Sequence, residues 1–229
     1  MTNTFREARD AILQSIRSNL AASEGIVHGE HTIVPDREEL ILEDEGLSMI
    51  EKFRERLQSV GGFCDVVESE DEATRALTAI VSDLQSRNAA KRIALSDAQL
   101  VSNLTHGLAA DQIDVCPSPA ELFNYDVGIT MAQAAIAETG TLVLVAETER
   151  HRLVSLLPPV HIAIVRARDI VPTIGDALSQ LHGPEPKQMS RAITFITGPS
   201  RTADIELTLT VGVHGPKELH VIVINNGRQ

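Results

Sequence analysis

From Phe63 onward the chain alternates short β-branched runs with stretches of helical period, and this alternation restricts the fold more than any other feature. A run at Phe63–Val67 is followed by Ala73, Ala76, Leu77, Ile80 and Leu84 at helical spacing, a run at Ile93–Leu95, a helix through Leu100, Val101 and Leu104, and a run over 113–116. Strands separated by helices of this length need crossover connections, which are right-handed and lead to parallel pairing. Residues 63–129 therefore read as a wound α/β unit. The remainder is strand-rich, with β-branched runs at 141–145, 160–165, 193–197 and 219–224. One helix, about 172–181, interrupts them, with Pro172 in its first turn where a missing N–H costs nothing. Ile205, Leu207, Leu209 and Val211 alternate with Glu206, Thr208 and Thr210, a period of two that reads as a strand with one wet face. The expected fold class is α/β, a mostly parallel wound sheet flanked by helices.

Ahead of this unit, Phe5, Ala8, Ile12, Ile16 and Leu20 predict an amphipathic helix over 4–21, and a loop follows to about Pro35. Leu47, Ile50, Phe53, Leu57 and Val60 repeat the helical pattern, which Gly61-Gly62 stops. Residues 1–62 are thus expected to form an N-terminal helical extension packed on a domain of residues 63–229. The stretch 183–189, with its prolines, reads as a surface loop. With 3% aromatic residues and no Trp among 229, the core has to be built from Leu, Ile, Val and Ala, as parallel sheets between helices are.

The formal net charge of −12, with no cluster of Lys and Arg, argues against nucleic acid, whose binding draws on clustered cations. No apolar stretch is long enough to span a bilayer and no signal peptide is visible, so a cytoplasmic location is expected. Cys64 and Cys116 are the only cysteines; both lie in short apolar runs and read as buried thiols. Since an iron–sulfur cluster usually takes four thiolates, this chain by itself is expected to bind no such cluster. Neither HExxH nor CxxC spacing occurs among its His and Cys, so no metal site is expected.

Three loops gather Gly, Pro and charge at strand ends, where α/β folds place their ligands. In the first, Glu138, Thr139 and Gly140 precede an apolar strand. A buried carboxylate at Glu138 can act as nucleophile or general base; otherwise the segment is a polar turn. In the second, Gly198, Ser200, Arg201, Thr202 and Asp204 follow a strand. Glycine admits a ligand to the backbone, the hydroxyls and N–H groups can hold an anion, and Arg201 can grip a carboxylate or phosphate with two parallel bonds. A helix-capping turn explains Ser200 and Asp204 as well. In the third, His214 and Lys217 sit among glycines ahead of the last strand, suited to proton transfer and to an acidic ligand, or simply solvated. Arg150-His151-Arg152 reads as a solvated basic turn or as an anion clamp through Arg152.

Taken together, the segments 136–142, Ser155-Leu-Leu-Pro158 with His161-Ile-Ala-Ile-Val165, Ile196-Thr-Gly-Pro-Ser200 with Ala203-Asp-Ile-Glu206, and Val211-Gly-Val-His-Gly-Pro216 resemble the LUD domain of LutC-type lactate-utilisation proteins. The run from Thr197 to Pro216 matches without a gap, and the similarity covers most of the chain, with 22–62 the least diagnostic part. The resemblance implies the fold of ribose-phosphate isomerases, glucosamine-phosphate deaminases and CoA transferases (NagB/RpiA/CoA transferase-like). It also implies action beside iron–sulfur proteins of the LutA and LutB type in oxidising L-lactate to pyruvate, with the clusters on those partners. The lack of a cysteine cluster agrees with a LutC role rather than a LutB role. Within the resemblance, residues 126–130 followed by Glu138-Thr-Gly140 are similar in layout to the acidic loop and Gly-rich turn of sugar-phosphate isomerases, with a departure at Met131-Ala-Gln133. Glu138 is also similar to the acyl-carrying Glu of CoA transferases. The leading expectation is an accessory subunit of a lactate-oxidising assembly that binds a small carboxylate or phosphate among Glu138, Arg201, Asp204, His214 and Lys217. The rival is a free-standing enzyme of the CoA-transferase or sugar-phosphate-isomerase type that uses Glu138.

Overall fold

The alternation that begins at Phe63 builds a six-stranded, wholly parallel sheet, and a second sheet lies against one of its faces. The computed structural model describes residues 2–23, 47–146, 149–181, 192–203, 209–212 and 214–226. Two compact units are present, Met1–Glu45 and Gly46–Gln229. The first contains helix α1 (Thr2–Ser23), over the predicted amphipathic stretch. Along the second run α2 (Met49–Ser59), β1 (Phe63–Val67), α3 (Glu70–Ser86), β2 (Ile93–Leu95), α4 (Gln99–Leu104), β3 (Ile113–Val115), β4 (Val127–Met131), β5 (Ala134–Ile136) and β6 (Thr141–Ala146). Then follow α5 (Glu149–Val154), β7 (Val160–Arg166), β8 (Ile170–Val171), α6 (Ile174–Leu181), β9 (Ala192–Ile196), β10 (Arg201–Ala203), β11 (Leu209–Val211) and β12 (Glu218–Ile224).

The helices begin where side chains satisfy their free N–H groups. Ser48 and Glu51 form a reciprocal capping box at α2. Ser69 accepts from the Glu72 amide at α3, whose first turn carries Glu70, Asp71 and Glu72 at the positive end of the helix dipole. At α6 the capping residue is Thr173, whose hydroxyl accepts from the Asp176 amide while the Asp176 carboxylate accepts from the Thr173 amide. Pro172 therefore lies outside the helix rather than in its first turn.

The parallel sheet runs β1-β12-β7-β4-β2-β3. Its period of two divides the strands cleanly. Ile162 and Ile164 of β7 and Ile222 and Ile224 of β12 face Leu77, Val81 and Leu84 of α3 and Leu100 and Leu104 of α4. Ala163, Val165, Val221 and Val223 turn the other way, onto Phe53 and Leu57 of α2 and Leu142 and Leu144 of β6. Strand β6 belongs to a mixed sheet in the order β8-β5-β6-β9, antiparallel at β5–β6 and β6–β9 and parallel at β5–β8. The far face of that sheet, Ile136 and Val143, packs on Ala177 of α6. The layers are thus helices, parallel sheet, mixed sheet with α2, and helix. Phe53 and Leu57 are fully buried, which makes α2 part of the core of the second unit.

Several local expectations change. Cys64 is buried in β1, but Cys116 lies beyond β3 with φ of +48° and is only half-buried. Residues 126–130 are no acidic loop: Val127 opens β4, and the Asp126 carboxylate accepts from the Lys91 and Arg92 amides at 2.7 and 3.0 Å, tying the entrance of β2. Nor does a helix start at Ser200, because Arg201–Ala203 pairs antiparallel with Leu209–Val211. Arg152 sits on the short helix α5 rather than in a basic turn. Of the alternating stretch 205–211, residues 209–211 form a strand and 205–208 lie outside the described residues, as do 183–189 and the loop before Pro35.

Candidate functional site

Two of the loops singled out in the sequence are brought together by main-chain bonds. The Ser200 amide donates to the Pro216 carbonyl at 2.8 Å, the Gly212 amide to the Ser200 carbonyl at 2.9 Å, and the Lys217 amide to the Pro159 carbonyl at 2.7 Å. The result is a single wall leading into β12, whose neighbouring residues face opposite sides as in extended chain. Gly198 and Ser200 line one cavity, whereas Pro199 and Arg201 line another. In the same way Pro216 and Leu219 face the first, and Lys217, Glu218 and His220 face the second.

The larger cavity, about 650 Å³, is rich in charge. Arg87, just past the end of α3, holds Glu218 with two bonds of 3.0 and 3.2 Å and reaches Asp83 at 3.0 Å. That guanidinium keeps the Glu218 carboxyl below the usual range. His220 stacks on Phe63 at 4.7 Å between centroids, and burial lowers its pKa against the opposing pull of Glu218. Arg201 spends one Nη2 donor on the Val60 carbonyl at the end of α2, at 2.7 Å. A guanidinium has five donors, so Arg201 retains others, and it is exposed, as is Lys217.

The smaller cavity, about 180 Å³, carries no Lys, Arg, Asp or Glu in its lining among the described residues. Its floor includes His161 of β7, 1% exposed. The imidazole Nε2 pairs with the Thr130 hydroxyl of β4 at 2.8 Å, and Nδ1 is buried with no hydrogen-bond partner among the described residues. Burial pushes the His161 pKa down to about 3, so the ring is neutral near pH 7. Ser155, fully buried, donates to the Arg152 carbonyl at 2.7 Å. Thr197 joins a ladder of hydroxyls, Thr139–Thr141–Thr197, with both spacings 2.7 Å. His214 lines this cavity from an exposed position.

The five residues expected to share an anion site are therefore divided. Arg201 and Lys217 converge on the larger cavity and His214 on the smaller, while Glu138 is exposed and lines neither. Asp204 lies outside the described residues, and Thr202 pairs with Thr210 in the β10–β11 ribbon. Arg152 is half-buried on α5 and lines neither cavity. The Gly140 turn packs under α2: at φ of +65°, a Cβ there would lie 2.3 Å from the Leu57 amide nitrogen. Gly198 plays the same part beside the end of α2, with φ of +93° and a virtual Cβ 2.9 Å from Val60 Cγ2.

Sequence reasoning does not single out His161, Thr130 or Arg87. One signal was there to be read: His161 occupies, in the period of two, the same side of β7 as Ala163 and Val165, where an apolar residue belongs. Among the described residues no three His, Cys, Asp or Glu side chains gather as a metal site, and no helix is long and apolar enough to cross a membrane.

Known proteins agree with this architecture. The fold is similar to the crystal structure of a DUF162 family protein from Deinococcus radiodurans, with a TM-score of 0.55 and 24% identity over 78% of this chain and 99% of that one. Lactate utilization protein C of Oceanobacillus iheyensis is 29% identical over 95% of this chain and 98% of its own length. The protein of the same name from Halalkalibacterium halodurans is 42% identical over 103 residues, 44% of this chain and 45% of that relative, so this match spans less than half of each. The LUD domain profile matches residues 50–224, well over half of the sequence and the whole extent of both sheets, and the chain accordingly belongs to the LUD domain family.

Proposed function

We propose that this protein serves lactate utilisation as a LutC-like subunit, holding a small carboxylate or phosphate where Arg201 and Lys217 meet. It contributes binding and contacts rather than electron transfer, beside iron–sulfur partners of the LutA and LutB type. The observation that carries the reading is the convergence of these two exposed cations on one cavity of about 650 Å³. The third cation there, Arg87, is already paired with Glu218 and Asp83, which leaves Arg201 and Lys217 to an incoming anion. The cysteines support a role without a cluster of its own: there are two, and burial pushes the Cys64 thiol up to about 12, far from the thiolate a metal needs. The relatives named lactate utilization protein C support the pathway.

Titration calorimetry with L-lactate, pyruvate and inorganic phosphate tests the site. The double variant Arg201→Gln, Lys217→Gln should weaken binding by about 10–100-fold, the size of one or two charge-assisted hydrogen bonds. Unchanged affinity in the double variant sinks the site. Pull-down from lactate-grown cells, with iron and acid-labile sulfide measured in the eluate, tests the partners. Glu138→Gln serves as the control for a free-standing enzyme, in which a nucleophile or base supplies roughly 10² or more in rate. Its exposed position outside both cavities gives that reading no support, and the variant should behave as wild type.

A further inference from the structure

We infer that the smaller cavity is a second binding site, separate from the anion cavity, for a small uncharged molecule bearing a hydroxyl or carbonyl group. The first ground is His161. An imidazole nitrogen buried without a partner forfeits a hydrogen bond that water would have given it. The Nε2 atom of His161 is committed to Thr130, so Nδ1 is the atom left for an occupant of the cavity that the ring lines. The second ground is the company it keeps. The other polar side chains lining the cavity are the hydroxyls of Ser155, Thr194, Thr197 and Ser200 and, at an exposed position, the imidazole of His214, and the apolar ones include Leu156 and Leu219. Such a lining offers both hydrogen bonds and apolar contact, and among the described residues it holds no Lys or Arg to pair with a carboxylate or phosphate.

The protonation state sharpens the ligand class. Because the ring is neutral, Nδ1 is a donor in one tautomer and an acceptor in the other, according to how Thr130 bonds to Nε2. A hydroxyl group answers either tautomer, and a carbonyl answers the donor form; an anion gains no charge from either. Size limits the occupant as well. A volume of about 180 Å³ falls below the range of roughly 300–1,000 Å³ typical of drug-sized ligands, and a compound of a few carbons suits it. Ser200 and Pro216, joined through main-chain bonds, close the cavity on the side facing Arg201 and Lys217, so the two sites share a wall and not a lining.

The test uses the full chain with 15N-labelled histidine and reads the His161 ring nitrogens by NMR, with hydroxyacetone and 1,2-propanediol as uncharged probes. L-Lactate serves as a charged compound of the same carbon number. Either uncharged probe should move the Nδ1 resonance saturably, lactate should not, and the saturable response should vanish in His161→Phe. Absence of a saturable shift with both uncharged probes, the result expected if the cavity holds water alone, overturns the proposal. So does an equal response to lactate. The wild-type ring is itself the reporter, so the outcome stands whether or not His161→Phe folds.

Discussion

The two cavities on either side of the 198–201 and 215–220 wall differ in residue type and in solvent access: Arg, Lys, Asp and Glu line the larger, and hydroxyls, two histidines and apolar side chains line the smaller. On the open side, Arg87 and Glu218 are partly exposed, ionised and paired, and Arg201 and Lys217 face water. On the buried side, a histidine cut off from solvent is held neutral and is bonded to a threonine. For His161, solvent access decides the charge, because desolvation penalises the ionised form. It follows that substitutions on the buried side should be read mainly in stability, and those on the open side mainly in anion affinity and salt dependence.

The severest disturbance should come from beneath the buried side, at the turn that supports the Thr139–Thr141–Thr197 ladder. Gly140→Val forces a β-branched residue into positive φ and against the α2 backbone, and should cost about 3–5 kcal/mol from strain and overpacking together, read by urea unfolding. A loss of under about 1 kcal/mol would mean that α2 shifts freely and does not brace this side. Next in size is Thr130→Val, which leaves both His161 nitrogens buried without a protein partner and should cost about 1–3 kcal/mol.

Acid titration separates the two sides by the size of the linkage and not by its sign, since both lose stability as the pH falls. The folded pKa of His161, about 3, lies below the ordinary imidazole value of 6.5. Above the unfolded value, both folded and unfolded chains are neutral at this ring and stability is at its full level. As the pH falls from about 6.5 toward 3, the unfolded chain takes up a proton that the fold refuses, and stability is lost. His161→Gln should flatten this limb of the pH–stability curve; an unchanged slope would show that the ring is not desolvated. The smallest effect belongs to the open side. Glu218 is also lowered, by Arg87, and its contribution is likewise present above its unfolded value and lost as acid protonates it. The pair is partly exposed, at 45% and 30%, so solvent screens it. Arg87→Gln should therefore barely move the thermal midpoint, and any shift should shrink further in high salt. A salt-independent shift would place the pair with the buried side after all.

Much of this fold was legible in order, because strands and helices of the parallel unit each announce themselves by a local period. The strands 63–67, 93–95 and 160–165 and the helices through Leu57 and Leu77 follow directly from apolar spacing. Strands β5 and β8 were not legible: they have three and two residues and no helix of clear period sets them off, and they exist through pairing, β5 on the long strand β6 and β8 on β5. The candidate site divides along the same line. The Gly-Pro loops at 197–202 and 212–217 stand out by composition, yet composition does not say that Ser200 bonds to Pro216, nor that Arg201 and His214 look into different cavities.

What the sequence by itself determined is the set of elements, the family resemblance and the inventory of polar groups, since these rest on local periodicity and on motifs. Only the tertiary structure decided which of those groups meet and which are charged. His161 shows the reason. Its position inside an apolar strand is written in the chain, but its neutrality, its bond to Thr130 and its free Nδ1 depend on a second sheet, and on loops from far along the sequence, closing water out around it.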